Sequence, residues 1–404
     1  MSETLFGYLK EYGDIPFTEH PLNNVDNLIL CQFSYLKFDG MVPGVKEDKK
    51  SVTLKELNAH PNREKLFEDE IYEKDNRKLF EAMLAGRRFR NMKLNCYVNV
   101  IEKEWETQFS AVTLILDDGT IYVAFRGTDE TIVGWKEDFN MAFLSPVPGQ
   151  ELSVKYLNMV TKRFPNRFYV GGHSKGGNLA VYSAMSCPPR VQERIIRVYS
   201  LDGPGFQPKV LEQCGYDRIA DRVVKLLPHS SMVGMIFEWD TRYQVVESKS
   251  FGLLQHDLYN WRVKDGELIP AHDIYRHAKE KSSVFNEWVM QQDEEHLRLF
   301  VDTLYQVISA SQADNLIDLT TDWKTSVLGM LEALKEVDAE TMQILKEVVK
   351  ELFALSRVRK REQFLHHFNR FVGHIPGGKR KVSNRPVRKY IRHPGVPDAT
   401  ERLK

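Results

Sequence analysis

The chain has 404 residues, 42% of them hydrophobic and 28% charged, enough for one large α/β domain with a smaller appendage. Lys and Arg balance Asp and Glu at 56 each, yet fourteen of the cations and three of the anions fall in residues 356–404, so an acidic body carries a basic tail. No run of eighteen apolar residues occurs, which excludes a spanning helix of that kind, and the N-terminal MSETLFGYLKEYG has neither the basic nor the apolar region of a secretory leader.

The four cysteines, Cys31, Cys96, Cys187 and Cys214, lack the paired spacing of a zinc site or a disulfide framework, and reduced thiols in a cytoplasmic protein are expected. In chain order, residues 1–45 mix short helical patterns with an apolar stretch, 28–36, that predicts a buried helix. Residues 46–95 are charged and predict helical cover over a sheet. Residues 109–116 and 120–125 are β-rich runs joined by Asp117-Asp118-Gly119, a hairpin signal, and the second run delivers Arg126-Gly127-Thr128-Asp129 at its end.

The stretch 167–185 has a specific local order. A short apolar strand, 168–170, runs into Gly172-His173-Ser174-Lys175-Gly176, and 178–185 then reads as a helix ended by Cys187-Pro188-Pro189. Strand, G-x-S-x-G turn and helix is the context of a nucleophile elbow. Side chains at 172 and 176 would collide, so glycine belongs at both, and the backbone N–H of Lys175 would face a developing oxyanion. His173 lies inside the elbow and is assigned a structural role.

Further strands are predicted at 195–201, ending in Asp202-Gly203-Pro204-Gly205, at 222–227 and at 243–248, with Gln255-His256-Asp257 in the loop that follows. Strands alternating with helices predict a mostly parallel sheet flanked on both faces, in which ligands bind beyond the carboxyl ends of the strands. Thr128, Ser174, Asp202 and His256 all fall just beyond predicted strand ends. A serine nucleophile needs a base, and the base needs an orienting group; His256 follows the last strand, as the order Ser, acid, His requires. Residues 293–311, 318–336 and 338–355 carry apolar stripes at helical spacing and predict a small helical domain that packs and does no chemistry.

FRGT at 125–128, Trp135 and Asp138, GHSKGG at 172–177 and the late His256 resemble the class 3, fungal triacylglycerol-type lipases, and GTDETIVGWKEDF, GHSKGGN, SLDGPGF and QHDLYNW are most similar to a bacterial branch of that superfamily. The resemblance covers residues 20–265. It implies an α/β-hydrolase fold with Ser174 as nucleophile, His256 as base, the backbone N–H groups of Thr128 and Lys175 as oxyanion hole, and Arg126 paired with Asp138. The sequence departs from the family at the acid. The family's D-x-V-P segment is replaced by 226–233, which holds no carboxylate, so Asp202 is the chosen acid, with Asp240 and Asp257 as alternatives. It departs also at Lys175, where lipases carry an apolar residue. Exposure or a pairing with a body carboxylate is expected for that side chain; a cation there would otherwise favour an anionic acyl substrate or a phosphate headgroup. The segment in the position of the lipase lid, 129–134, is short and mostly polar, which argues against strong interfacial activation.

The resulting expectation is an α/β-hydrolase domain over 1–275, a helical domain over 276–355 and a basic, partly disordered tail over 356–404. The expected activity is that of a serine esterase or lipase-type acylhydrolase needing no cofactor or metal. The alternative is a catalytically weak or inactive hydrolase fold that binds or scaffolds. The expected substrate is a small-molecule or lipid ester. In the tail, Phe364, Leu365, Phe368, Phe371 and Val372 form an apolar helical face among cations, which suits an anionic membrane surface better than nucleic acid, for which no base-reading motif is present.

Overall fold

The computed structural model describes residues 3–69, 72–102, 107–128, 137, 140–141, 145–239, 242–250, 252–309 and 342–343. Eight strands form one sheet: β1 Val52–Thr53, β2 Lys93–Glu102, β3 Thr107–Ile115, β4 Ile121–Phe125, β5 Phe168–His173, β6 Ile195–Leu201, β7 Val223–Pro228 and β8 Tyr243–Val246. Each strand lies beside its neighbour in sequence. β1 to β4 pair antiparallel and β4 to β8 pair parallel.

The change of direction follows from the connections. β3 and β4 are joined by a tight turn in which Gly119 takes φ 82°, a left-handed conformation that costs glycine nothing. From β4 to β7 the returns carry the helices Pro148–Arg163, Lys175–Ser186 and Pro208–Cys214, and such crossovers yield parallel pairing. All five residues of β4 are buried, as a strand covered on both faces must be.

One face of the sheet, with Tyr122, Ala124, Tyr199 and Leu201, shares a core with Leu28, Ile29 and Phe33 of the helix Asn24–Phe33. Burial of a side chain such as Leu28, Ile29 or Phe33 contributes about 1.5–3 kcal/mol. That helix begins in a capping box of Asn23 and Asp26. Asp26 is also the buried partner of Arg88, whose Nε donates to Oδ1 at 2.7 Å while Nη1 donates to the carbonyls of Ile15 and His20 at 2.8 and 2.9 Å. The other face receives the helix Pro148–Arg163. Its Tyr156 hydroxyl lies 2.8 Å from Thr113 Oγ1, and its ring packs on Phe109 and Phe125.

Helical cover was the expectation for 46–95. The helices Leu54–Asn58, Glu73–Ala85 and Arg87–Arg90 occupy part of that stretch, but β1 interrupts it and β2 begins within it. β2 hides from a period-2 reading because its register shifts between Asn95 and Val98, where Cys96 takes φ 55°, and a bulge exchanges the two faces of the strand.

Residues 3–128 and 145–287, among those described, belong to one unit that holds the whole sheet. The described part of the second unit includes the helix Glu294–Ser309, against which Trp288 packs edge-on at Phe300, with ring centroids 4.8 Å apart. The remaining helical stripes (apart from Met342 and Gln343) and the basic tail lie outside the described residues, as do residues 129–134. No described helix is long and apolar enough to cross a membrane.

Candidate active site

Ser174 joins β5 to the helix Lys175–Ser186 at φ 57° and ψ −130°, a backbone conformation that costs a non-glycine residue about 1–3 kcal/mol. Neighbouring packing holds it there. A Cβ on Gly172 would run into the backbone of Gly176, and one on Gly176 into the carbonyl of Phe125, so the turn closes only with glycine at both places. The Ser174 N–H donates to Leu201 O at 2.9 Å, and its carbonyl accepts from Gly177 N at 2.9 Å. Gly177 lets the helix sit on β6, since a Cβ there would come within 2.7 Å of Ser200 Oγ.

Asp202 follows β6 at φ 45° and is 1% exposed. Its Oδ2 lies 2.7 Å from His256 Nδ1. Its Oδ1 accepts from the hydroxyl of Ser231 and from Gly234 N, the latter at 3.2 Å. The structure thus joins His256 to Asp202. Asp257, the neighbouring alternative, turns to Tyr259 N at 2.9 Å and Asn260 Nδ2 at 3.2 Å and caps the short helical turn Leu258–Asn260. Asp240 lies outside the described residues.

The segment carrying His256, Gly252–His256, is anchored by buried Gln255, a residue the sequence reading did not single out. Its Oε1 accepts from Ser230 N at 2.8 Å, its Nε2 donates to Ser250 O at 2.7 Å, and its carbonyl accepts from Trp261 Nε1 at 2.8 Å. His173 supplies a second anchor. Its Nε2 sits 2.8 Å from the carbonyl of His256, its Nδ1 sits 2.9 Å from the Tyr35 hydroxyl, and the two histidine rings are 4.4 Å apart. A carbonyl can only accept, so Nε2 carries the proton and Nδ1 accepts from Tyr35. Burial, followed by the neighbouring His256, holds the His173 pKa well below 6.5 and keeps the ring neutral. The structural role assigned to His173 therefore consists of fixing the backbone beside His256.

Beyond β4, Arg126 is buried and its Nη2 donates to Asn99 Oδ1 at 3.1 Å; Asp138 lies outside the described residues. Gly127 packs against the elbow so closely that a Cβ there would come 2.7 Å from His173 O and 3.2 Å from Ser174 Cβ. Thr128 is the next residue along. On the other side of Ser174, Lys175 opens the helix, so its backbone N–H belongs to the first turn, where N–H groups point out of the helix end.

The Lys175 side chain corrects the expectation of exposure. It is 1% exposed rather than solvated, and its Nζ donates to the amide oxygen of Gln108 on β3 at 2.9 Å. The first residue of the elbow helix is directed under the ends of the strands, where a long side chain cannot reach water. Asn178 ties the same helix to the loop after β6. Its Nδ2 donates to the carbonyls of Pro204 and Gly205 at 3.2 and 3.0 Å, and its Oδ1 accepts from Gln150 Nε2 at 2.9 Å.

A family model described as Mbeg1-like matches residues 83–306 of the chain. Among solved structures, a triacylglycerol lipase whose catalytic centre is formed by a serine protease triad aligns at 16% identity over 55% of this chain and 78% of its own, with a TM-score of 0.35. Lipase II from Rhizopus niveus aligns at 19% identity over 45% of this chain and 74% of its own, with a TM-score of 0.29. No curated protein matches.

Proposed function

The chain belongs to the Mbeg1-like family and has a lipase-like α/β-hydrolase fold, and from that premise we propose that it is a serine acylhydrolase acting on carboxylic esters. The observation that carries the reading is the 2.7 Å contact between Asp202 Oδ2 and His256 Nδ1, on a histidine whose backbone is bonded to the residue preceding Ser174. A carboxylate on Nδ1 fixes the proton there and leaves Nε2 as the acceptor, the tautomer a general base needs.

Ser174 Oγ attacks the ester carbonyl carbon while His256 Nε2 takes its proton. The carbonyl oxygen becomes an oxyanion held by the backbone N–H groups of Thr128 and Lys175. Collapse breaks the bond to the alcohol, which leaves with the proton from His256, and the acyl group stays on Ser174. Water, deprotonated by His256, then attacks the acyl carbonyl; the bond to Ser174 Oγ breaks, Oγ takes the proton back from His256, and the acid leaves. Asp202 holds the imidazole in place and stabilises the imidazolium. The lipase-like family makes a lipid ester the favoured substrate class.

The test is labelling with a fluorophosphonate probe together with turnover of p-nitrophenyl butyrate. Wild-type protein is expected to be labelled and active, and Ser174→Ala to be neither. Wild-type protein that is folded but refuses both reagents would overturn the proposal.

A further inference from the structure

A buried lysine beside a catalytic serine is costly as packing. Its charge is taken out of water, and it opens a helix, the end at which the macrodipole disfavours a cation. Its ammonium reaches across to a buried side-chain amide on β3, and that contact runs on to the backbone beside the elbow.

We propose that Lys175 acts through Gln108 to orient and polarise the Gly127–Thr128 peptide, making Lys175 and Gln108 positioning residues for the oxyanion hole. This rests on the reading of Thr128 and Lys175 as the oxyanion donors. Gln108 is fully buried on β3, and its amide has one possible orientation: an ammonium only donates, so Oε1 faces Lys175 Nζ at 2.9 Å. Nε2 is then turned to the carbonyl of Gly127, 3.5 Å away. That carbonyl belongs to the same peptide group as the N–H of Thr128.

The groups therefore stand in series: ammonium, side-chain amide, backbone amide, oxyanion. Each hydrogen bond in such a chain strengthens the next donor, and the effect is largest where water is excluded. As negative charge develops on the substrate oxygen, it meets an N–H already polarised by a cation two amides away. Its other donor is the backbone N–H of Lys175 itself. One residue thus serves both sides of the hole, through its backbone on one and its side chain on the other.

The experiment compares kcat and KM for p-nitrophenyl butyrate among full-length wild type, Ser174→Ala, Lys175→Met, Gln108→Leu and Gln108→Glu. Lys175→Met keeps length and the backbone N–H but removes the ammonium. Gln108→Glu keeps a partner for Lys175, indeed a stronger one, while replacing the donor to Gly127 with an oxygen. If the lysine merely anchors the elbow, this last variant should be as active as wild type. If the series operates, Lys175→Met, Gln108→Leu and Gln108→Glu each lose about tenfold to a hundredfold in kcat with KM within about threefold, the signature of an interaction made in the transition state. The Lys175→Met/Gln108→Leu pair should lose little more than either alone.

Should Lys175→Met fail to fold, Gln108→Glu decides. Ser174-dependent turnover in wild type with Gln108→Glu within about twofold of it, or a rise in KM at unchanged kcat, overturns the inference alone. Absence of Ser174-dependent turnover in wild type overturns the acylhydrolase reading and this inference with it.

Discussion

Replacing Asp202 by Asn tests the assigned acid most directly, because the surroundings of the carboxylate dictate how the amide must sit. Asp202 accepts three hydrogen bonds, from His256 Nδ1, Ser231 Oγ and Gly234 N. An asparagine has one oxygen for them. If that oxygen faces His256, its NH2 meets the Gly234 N–H, leaving a buried donor unsatisfied at about 1–3 kcal/mol. If the oxygen instead faces Ser231 and Gly234, both those donors are met and the NH2 points at His256 Nδ1. The second arrangement wins on hydrogen bonds, and it forces the proton of His256 onto Nε2, where the base must be empty. Folding stability should therefore fall by no more than about 1 kcal/mol, while kcat falls about 10²–10⁴-fold, equivalent to roughly 2.7–5.5 kcal/mol of barrier. The assay is p-nitrophenyl butyrate hydrolysis from pH 6 to 9, with a urea melt on the same sample. An Asp202→Asn protein with unchanged melt and kcat within about fivefold of wild type would refute the orienting role.

Three further outcomes are expected. His173 has a folded-state pKa below 6.5, so at acid pH the unfolded chain binds a proton that the folded chain does not; stability from the neutral ring is present above about pH 6.5 and lost as pH falls toward the folded value, and urea midpoints of wild type but not His173→Gln should carry this slope between pH 7.5 and 5.5. Parallel curves would contradict it. Arg88→Met should cost about 3–5 kcal/mol in a urea melt, since Asp26 is left buried without its cation, and a loss under about 1 kcal/mol would show that the pair is not a keystone. Ser174→Gly should abolish labelling yet raise the thermal midpoint, corresponding to about 1 kcal/mol of relieved strain, because glycine adopts φ 57° freely; a lowered midpoint would mean the turn stores no strain.

What the sequence by itself determined here is local. The elbow is legible because strand, turn and helix are contiguous, and because the collision that demands Gly172 and Gly176 involves residues four apart in the chain and the adjacent strand. The parallel strands themselves are legible for a similar reason: continuous apolar runs such as 121–125 and 195–201 alternate with helical segments. β2 was not legible, since a bulge at Asn95–Val98 breaks the period on which strand recognition depends.

Tertiary structure alone decided the partners. Asp202 and Asp257 were both near enough to His256 on paper. The one that meets Nδ1 is 54 residues away in sequence, because the parallel strands bring their carboxyl ends to one rim, whereas Asp257 is consumed by capping the turn next to it. The surroundings of Lys175 were hidden for the same reason. A helix's first residue can face water or the sheet with equal local geometry, and the choice was made by β3, which places Gln108 within 2.9 Å of the ammonium. Backbone geometry is encoded in neighbours along the chain, but hydrogen-bond partners are encoded in which strand ends come together, and that is settled only when the sheet closes.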